Sequence, residues 1–385
     1  MSTRVLLAGT FDPDFARNRV LVSLLEREGF EIEVARRELW GRDRQLLVNQ
    51  PKWRLLRRGL TAYPWLVGRV ARAARPDVIL VPYPGHVDVP LIAPIARARR
   101  IPLMFDTFIS LYDTIVADRG LCGPNSAIGR ATRTADALAC RLADLVLCDT
   151  PAHADYFAET TGASRDRFRV LWLGAQEDVF RPQPDVEPIP KLVVFHGTFV
   201  PLQGLSTIVH AAKLLEPEGI RFRIIGEGQE RVTVENLVRD LDACNIELPG
   251  RVPLQDVPGE IAAASLCLGI FGTSDKARRV VPNKVFECLA VGRPVVTADT
   301  PAIRSAFAGE VATVPTGNAQ ALAQEIRALL ADPARLASLA AAGHERYRQD
   351  YSEAALGRLL AGYVDGLVGR RATATSDGPR PGANR

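Results

Sequence analysis

No long apolar run, no CxxC spacing and no leader-like N-terminus occur in this sequence, and each absence removes a class of protein. Without an apolar stretch near the roughly 20 residues that cross a bilayer, no membrane span is expected. Met1 to Arg4 leads straight into a strand with no signal-peptide pattern, so the chain is expected in the cytosol. The six cysteines, at 122, 140, 148, 244, 267 and 288, mostly stand among apolar residues. Buried reduced thiols fit them better than disulfides or a metal cluster, and no structural zinc is expected. What is present is ample core material: 385 residues, 47% of them apolar, suit two domains.

The net charge of +4 is unevenly placed. Positions 36–75 hold 11 Lys/Arg against 2 Asp/Glu, or +9, which leaves −5 for the rest. Within that segment Trp53, Leu56 and Leu60 share one helical face, Arg54 and Arg58 lie on another, and Trp65 follows a break expected at Pro64. A cationic, Trp-bearing segment can lie on an anionic membrane surface. Its alternative is a charged surface helix packing an apolar stripe on its own domain. Nucleic acid is not an expected partner, because no zinc-finger, RRM or helix-turn-helix pattern surrounds the basic run.

Short apolar strands alternate with helical stretches through the first half: Val5 to Ala8, a helix from about Pro13 to Glu28, then Val78 to Pro82, Pro102 to Phe105, Leu145 to Cys148 and Val170 to Leu173. Strands of this kind belong to parallel sheets covered on both faces. Four prolines between Phe180 and Pro190 make a stiff linker, after which the alternation restarts at Leu192 to Phe195, a helix from about Leu202 to Leu215, Phe222 to Ile225, Leu266 to Phe271 and Pro294 to Thr297. The expected fold is α/β, two doubly wound Rossmann-like domains facing across a cleft. Their spans are residues 1–180 and 191–350, with 181–190 as linker, a helix at 351–370 placed to cross back, and a disordered tail at 371–385. Asn318 and Thr150 are expected helix N-caps.

The richest stretch is Gly269 to Val296, where a strand, a cationic loop, a helix start and a second strand follow in succession. Lys276, Arg278 and Arg279 precede Pro282, a residue favoured at the first helical position, so cations and free helix N–H groups converge. Lys284 and Glu287 share one helix face. A cation beside a carboxylate that can accept two ribose hydroxyls suits a nucleoside-diphosphate ligand.

Phe195-His-Gly-Thr-Phe-Val-Pro-Leu-Gln-Gly204, Ile225-Gly-Glu-Gly-Gln-Glu230, Pro249-Gly-Arg-Val252 and Pro282-Asn-Lys-Val-Phe-Glu-Cys-Leu-Ala-Val-Gly-Arg-Pro-Val-Val296, in that order and spacing, resemble the GT-B glycosyltransferases of the retaining family-four type. The resemblance covers about residues 1 to 370. It implies a nucleotide-diphospho-sugar donor held mainly by the second domain, a glycan or lipid-linked acceptor presented by the first, retention without a metal, and a role in cell-envelope or polysaccharide biosynthesis. No cofactor is expected. By position Glu287 resembles the second glutamate of the family's E-x7-E motif, which holds the ribose. Arg251 and Val252 match the turn that reads the nucleobase, Asn283 and Lys284 sit where the diphosphate is met, and Gly197, Gly226 and Gly228 lie where backbone approaches the ligand. Thr198 and Gln203 stand where the family usually places an Arg and a Lys, and Arg279 stands in place of the first glutamate of E-x7-E. Lys276, Arg278, Arg279 and Lys284 are therefore expected to resupply the missing charge.

In the first domain Asp106 follows a strand and is expected at the cleft, meeting the donor sugar or the acceptor hydroxyl; capping the following turn is its alternative. His86 is read as capping or buried. Asp12 and Asp14 are read as helix-start residues rather than a metal site, and Arg17 and Arg19 as surface charges or acceptor-phosphate contacts. Two further functions remain open on the same fold, a sugar-nucleotide epimerase and a nucleotide-binding relative without turnover.

Overall fold

The computed structural model describes residues 2–39 and 52–376. Among the described residues twelve strands form two parallel sheets. In chain order they are β1 (Arg4–Gly9), β2 (Glu31–Arg36), β3 (Val78–Val81), β4 (Leu103–Phe108), β5 (Leu145–Cys148), β6 (Phe168–Val170), β7 (Leu192–His196), β8 (Arg221–Ile225), β9 (Ile246–Gly250), β10 (Leu266–Leu268), β11 (Val295–Ala298) and β12 (Ala312–Val314). The first sheet runs β2-β1-β3-β4-β5-β6 and the second β12-β11-β10-β7-β8-β9. Parallel strands need crossover helices, which cover both faces. Accordingly the central strands β3, β4, β5, β7 and β10 are buried throughout.

Strand order reverses between β1 and β3 in one sheet and between β7 and β10 in the other. Ligands of doubly wound sheets sit beyond the carboxyl ends of strands at such reversals. A shared core holds the two sheets together: Phe108, Leu173 and Ala175 of the first half pack with Phe180, Phe286, Phe307, Tyr347 and Tyr351. The Glu353–Ser376 helix returns to the first sheet, where Leu356, Leu360, Val364 and Leu367 bury themselves among Leu21, Leu24, Leu80 and Leu147. Residues 371–376 of the expected disordered tail are thus helical, and the rest of that tail lies outside the described residues.

Two local expectations change. The Lys52–Arg72 helix runs through Pro64 instead of breaking there. Proline costs one backbone hydrogen bond, and the burial of Ala62, Leu66 and Val70 on the domain offsets that loss. Leu60 and Trp65 of the same helix stay exposed, with Arg37 stacked on the Trp65 ring. The side chains of Trp53, Arg54 and Leu56 lie outside the described residues, as do residues 40–51 of the basic segment. Pro282 is the N-cap of the Asn283–Val291 helix rather than its first residue. Thr150 and Asn318 cap their helices through side-chain oxygens.

Candidate functional site

A cavity of about 390 Å³ opens between the carboxyl edges of the two sheets. The second domain contributes His196 at the end of β7, Gly197 and Thr198 after it and Gln203, then Lys276, Asn283, Lys284 and Glu287 after β10; the first contributes Phe108, Thr114, Asp118, Arg119 and Asp149. The two strands that flank the second sheet's reversal, β7 and β10, therefore supply its second-domain wall.

Lys284 is the second residue of the Asn283–Val291 helix, whose N-terminus has no side-chain cap. Its amine is buried, donates to Gln203 Oε1, and stands 4.1 Å from the centroid of the Phe195 ring. Gly197 makes that position available. It has φ +149°, and a Cβ there would lie 3.0 Å from Lys284 Nζ. Burial pulls the Lys284 pKa down to about 7, against the opposing pull of Glu287. One turn on, Glu287 Oε2 lies 2.8 Å from His196 Nε2. A carboxylate only accepts, so Nε2 carries the proton and fixes one oxygen of Glu287. His196 Nδ1 is buried without a partner.

Lys276 lines the cavity, but its amine reaches across to the first domain, 3.0 Å from Thr114 Oγ1 and 3.4 Å from Asp118 Oδ2. Burial lowers its pKa, and Asp118 and Asp113 oppose that shift. Arg279 lies off the cavity. It pairs with Asp113 at 2.9 Å and stacks over the Tyr156 ring at 4.2 Å. Arg278 is exposed. Of the four cations expected to resupply charge, Lys284 alone is placed in the cavity without a carboxylate bonded to its amine; Lys276 and Arg279 tie the domains together instead.

Asp106 is also placed elsewhere. Both its oxygens accept from Arg17, at 2.8 and 2.9 Å, and both residues are buried. Arg17 further donates to Leu171 O and Trp172 O, so it is neither a surface charge nor an anion contact but a brace between strand ends. Asp106 is fully buried and does not line the cavity, so it is not placed to meet a sugar. Gly226 and Gly228 do not line the cavity either. A Cβ on Gly226 would clash with Gly197 O and one on Gly228 with Phe199 O, so these glycines let two loops touch. Arg251 is exposed and Val252 packs half-buried on the shared core, both outside the cavity lining. Gly197, Thr198, Asn283, Lys284 and Glu287 are brought together in it.

Four further residues line the cavity that were not among the expected site residues: His196, Asp118, Arg119 and Asp149. The last holds His153 Nδ1 at 2.5 Å. His196 carried a signal, since the last residue of a strand before a glycine loop in a doubly wound sheet faces the ligand edge. His86 is buried beside Thr107 Oγ1, as the sequence suggested. Asp12 accepts from the Asp14 N–H in the turn before the Ala16–Arg27 helix, whose N-cap is Phe15, so neither carboxylate is the helix-start residue expected. Among the described residues no cluster of three or more His, Cys, Asp or Glu could hold a metal ion, and no helix is long and apolar enough to cross a membrane.

Residues 16–174 match the glycosyl transferase 4-like domain model and residues 190–332 the model of glycosyl transferases group 1. Over 224 residues the chain is 26% identical to the lipopolysaccharide core biosynthesis glycosyltransferase LpsE of Rhizobium meliloti, covering 56% of this chain and 62% of that protein. The chain spans between 47% and 62% of the length of the curated relatives it matches. Sucrose-phosphate synthase from Thermosynechococcus elongatus superposes with a TM-score of 0.74 at 16% identity, over 96% of this chain and 100% of that one. Anabaena HepE in complex with UDP-glucose gives 0.68 at 18% identity, over 95% and 100%. At these identities the structural matches establish a common fold.

Proposed function

The chain belongs to the GT-B glycosyltransferases of the group 1 type, and from that membership we propose that it moves a hexosyl group from a nucleotide-diphospho-sugar to a hydroxyl of a cell-envelope glycan or lipid-linked acceptor. The observation that carries this reading is the cavity wall in which Lys284, the uncapped helix start at Asn283 and the Gly197-Thr198 backbone surround one space, with Glu287 one turn away. Departure of a nucleoside diphosphate builds negative charge on phosphate, and pre-aimed amides and an amine stabilise it. Glu287, oriented by His196, is the ribose partner. The sugar then lies toward Thr114, Asp118 and Arg119, and the acceptor enters from the first domain. Retention follows if the acceptor attacks the face the diphosphate leaves, the departing oxygen taking its proton. In this reading protein groups, not a metal, carry the leaving-group charge.

Relatives named for lipopolysaccharide core biosynthesis support an envelope acceptor. Exposed Leu60 and Trp65 on an arginine-bearing helix support one presented at an anionic membrane surface. The test is thermal-shift screening against UDP, GDP, ADP and dTDP and their glucose and mannose derivatives, followed by donor hydrolysis and transfer assays. One nucleotide family should raise the melting temperature, and its sugar should be released or transferred. No shift with any nucleotide would refute the reading; a shift without turnover would favour the non-catalytic relative. Inversion of a sugar stereocentre without acceptor would identify an epimerase.

A further inference from the structure

Three carboxylates line the cavity, and two of them hold a histidine: Glu287 meets His196 and Asp149 meets His153. Asp118 is different. One oxygen, Oδ2, faces the Lys276 amine at 3.4 Å, while Oδ1 is buried with no hydrogen-bond partner. The side chain is 1% exposed, on the short helical turn Asp113–Asp118 that the first domain inserts against the second. Arg119, next in the chain, also lines the cavity, and its Nε is buried without a partner. The other groups around Asp118 are Thr114, which shares the Lys276 amine, and Glu230, whose pKa is raised first by its own burial and then by the Asp118 charge.

A buried carboxylate oxygen without a donor is unfavourable, because it has given up water and received nothing in return. The turn does not use it, since its C-cap at Arg119 is made by backbone alone. What completes it must be a donor. A phosphate oxygen is excluded by charge, whereas a hydroxyl fits, and a carbohydrate presents hydroxyls beside ring oxygens that Arg119 can donate to. We infer that Asp118 and Arg119 form a carbohydrate subsite in which Asp118 Oδ1 accepts from a sugar hydroxyl while Lys276 fixes the carboxylate. The inference rests on the transferase reading and extends it to this chain's own sugar contact. The hydroxyl belongs either to the donor sugar or to the acceptor.

Calorimetric titration of the full-length protein tests it, with the nucleoside diphosphate selected by the thermal-shift panel and the matching nucleotide sugar as probes, alongside acceptor KM from the transfer assay. Asp118→Ala is compared with Asp118→Ala/Lys276→Met, which leaves no unpaired buried ammonium. In both variants nucleoside-diphosphate affinity should stay within about twofold of wild type. Nucleotide-sugar affinity should fall about 10- to 100-fold if the hydroxyl is the donor's, and acceptor KM should rise by that factor if it is the acceptor's. The inference is overturned if both quantities hold steady, if diphosphate affinity falls in step, or if the double variant regains sugar binding. Wild-type protein that binds no nucleotide would instead refute the transferase reading, and the inference with it.

Discussion

Lys284 concentrates the chemistry of the cleft in one amine. Burial favours its neutral form and brings the pKa to about 7, whereas a bound diphosphate favours the ammonium. Nucleotide binding above that pH must therefore take up a proton. Affinity should be flat below about pH 7 and fall as pH rises, until the pKa of the bound form is passed. Calorimetry at pH 8 in two buffers of different ionisation enthalpy should register uptake of about one proton per nucleotide in wild type and none in Lys284→Met. Equal heats in the two buffers would contradict the assignment. This residue was legible in the sequence because a helix start, a cation and a carboxylate three positions on are local features. Asp106 and Arg279 were not. Their partners Arg17 and Asp113 stand 89 and 166 residues away, and no spacing rule reports that a charge is already neutralised by a residue that distant. Asp118 was invisible for the same reason, since its partner Lys276 is 158 residues further on.

Among elements, the two loops after β7 and β8 place the cavity wall, and they do so by backbone contact. Gly197 N donates to Ile225 O and Phe199 N to Glu227 O, which leaves no room for a side chain on Gly226. Gly226→Ala should lower the melting temperature by roughly 4 °C or more, from a strained φ and a clash with Gly197 O, and should weaken nucleotide binding as the Gly197-Thr198 loop shifts. Gly259→Ala is the control, with open space around its added methyl. A Gly226→Ala protein matching that control in differential scanning calorimetry would refute the close-approach account. Element legibility followed burial. Central strands such as β3, β5 and β10 are apolar without interruption and stand out in the sequence. The strands the sequence pattern did not reveal, β2, β9 and β12, are all at sheet edges. There one side meets solvent, and polar or proline residues interrupt the apolar run, as in Glu31 and Glu33 of β2, Glu247 and Pro249 of β9, and Thr313 of β12.

At the scale of the whole molecule, the cleft is held by ion pairs that cross it. Lys276 to Asp118 and Arg279 to Asp113 join the loop after β10 to the Asp113–Asp118 turn, while Tyr347, Tyr351 and the returning C-terminal helix hold the opposite side. Lys276 and Arg279, which a sequence argument assigns to a ligand, are thus spent on domain contact, and of the expected cations Lys284 alone is left in the cavity without a carboxylate bonded to its amine. The two-domain plan was legible because the alternation of strand and helix stops at a proline-rich linker and starts again. The ion pairs that join the domains were not, because they are made by side chains on opposite halves of the chain. The central claim is that a nucleoside diphosphate binds between the sheets at their carboxyl edges. Hydrogen–deuterium exchange with and without the nucleotide selected by thermal shift tests it most directly. The account predicts slowed exchange in residues 196–204 and 282–288 of one domain together with 113–119 of the other; protection confined to segments remote from both would contradict it.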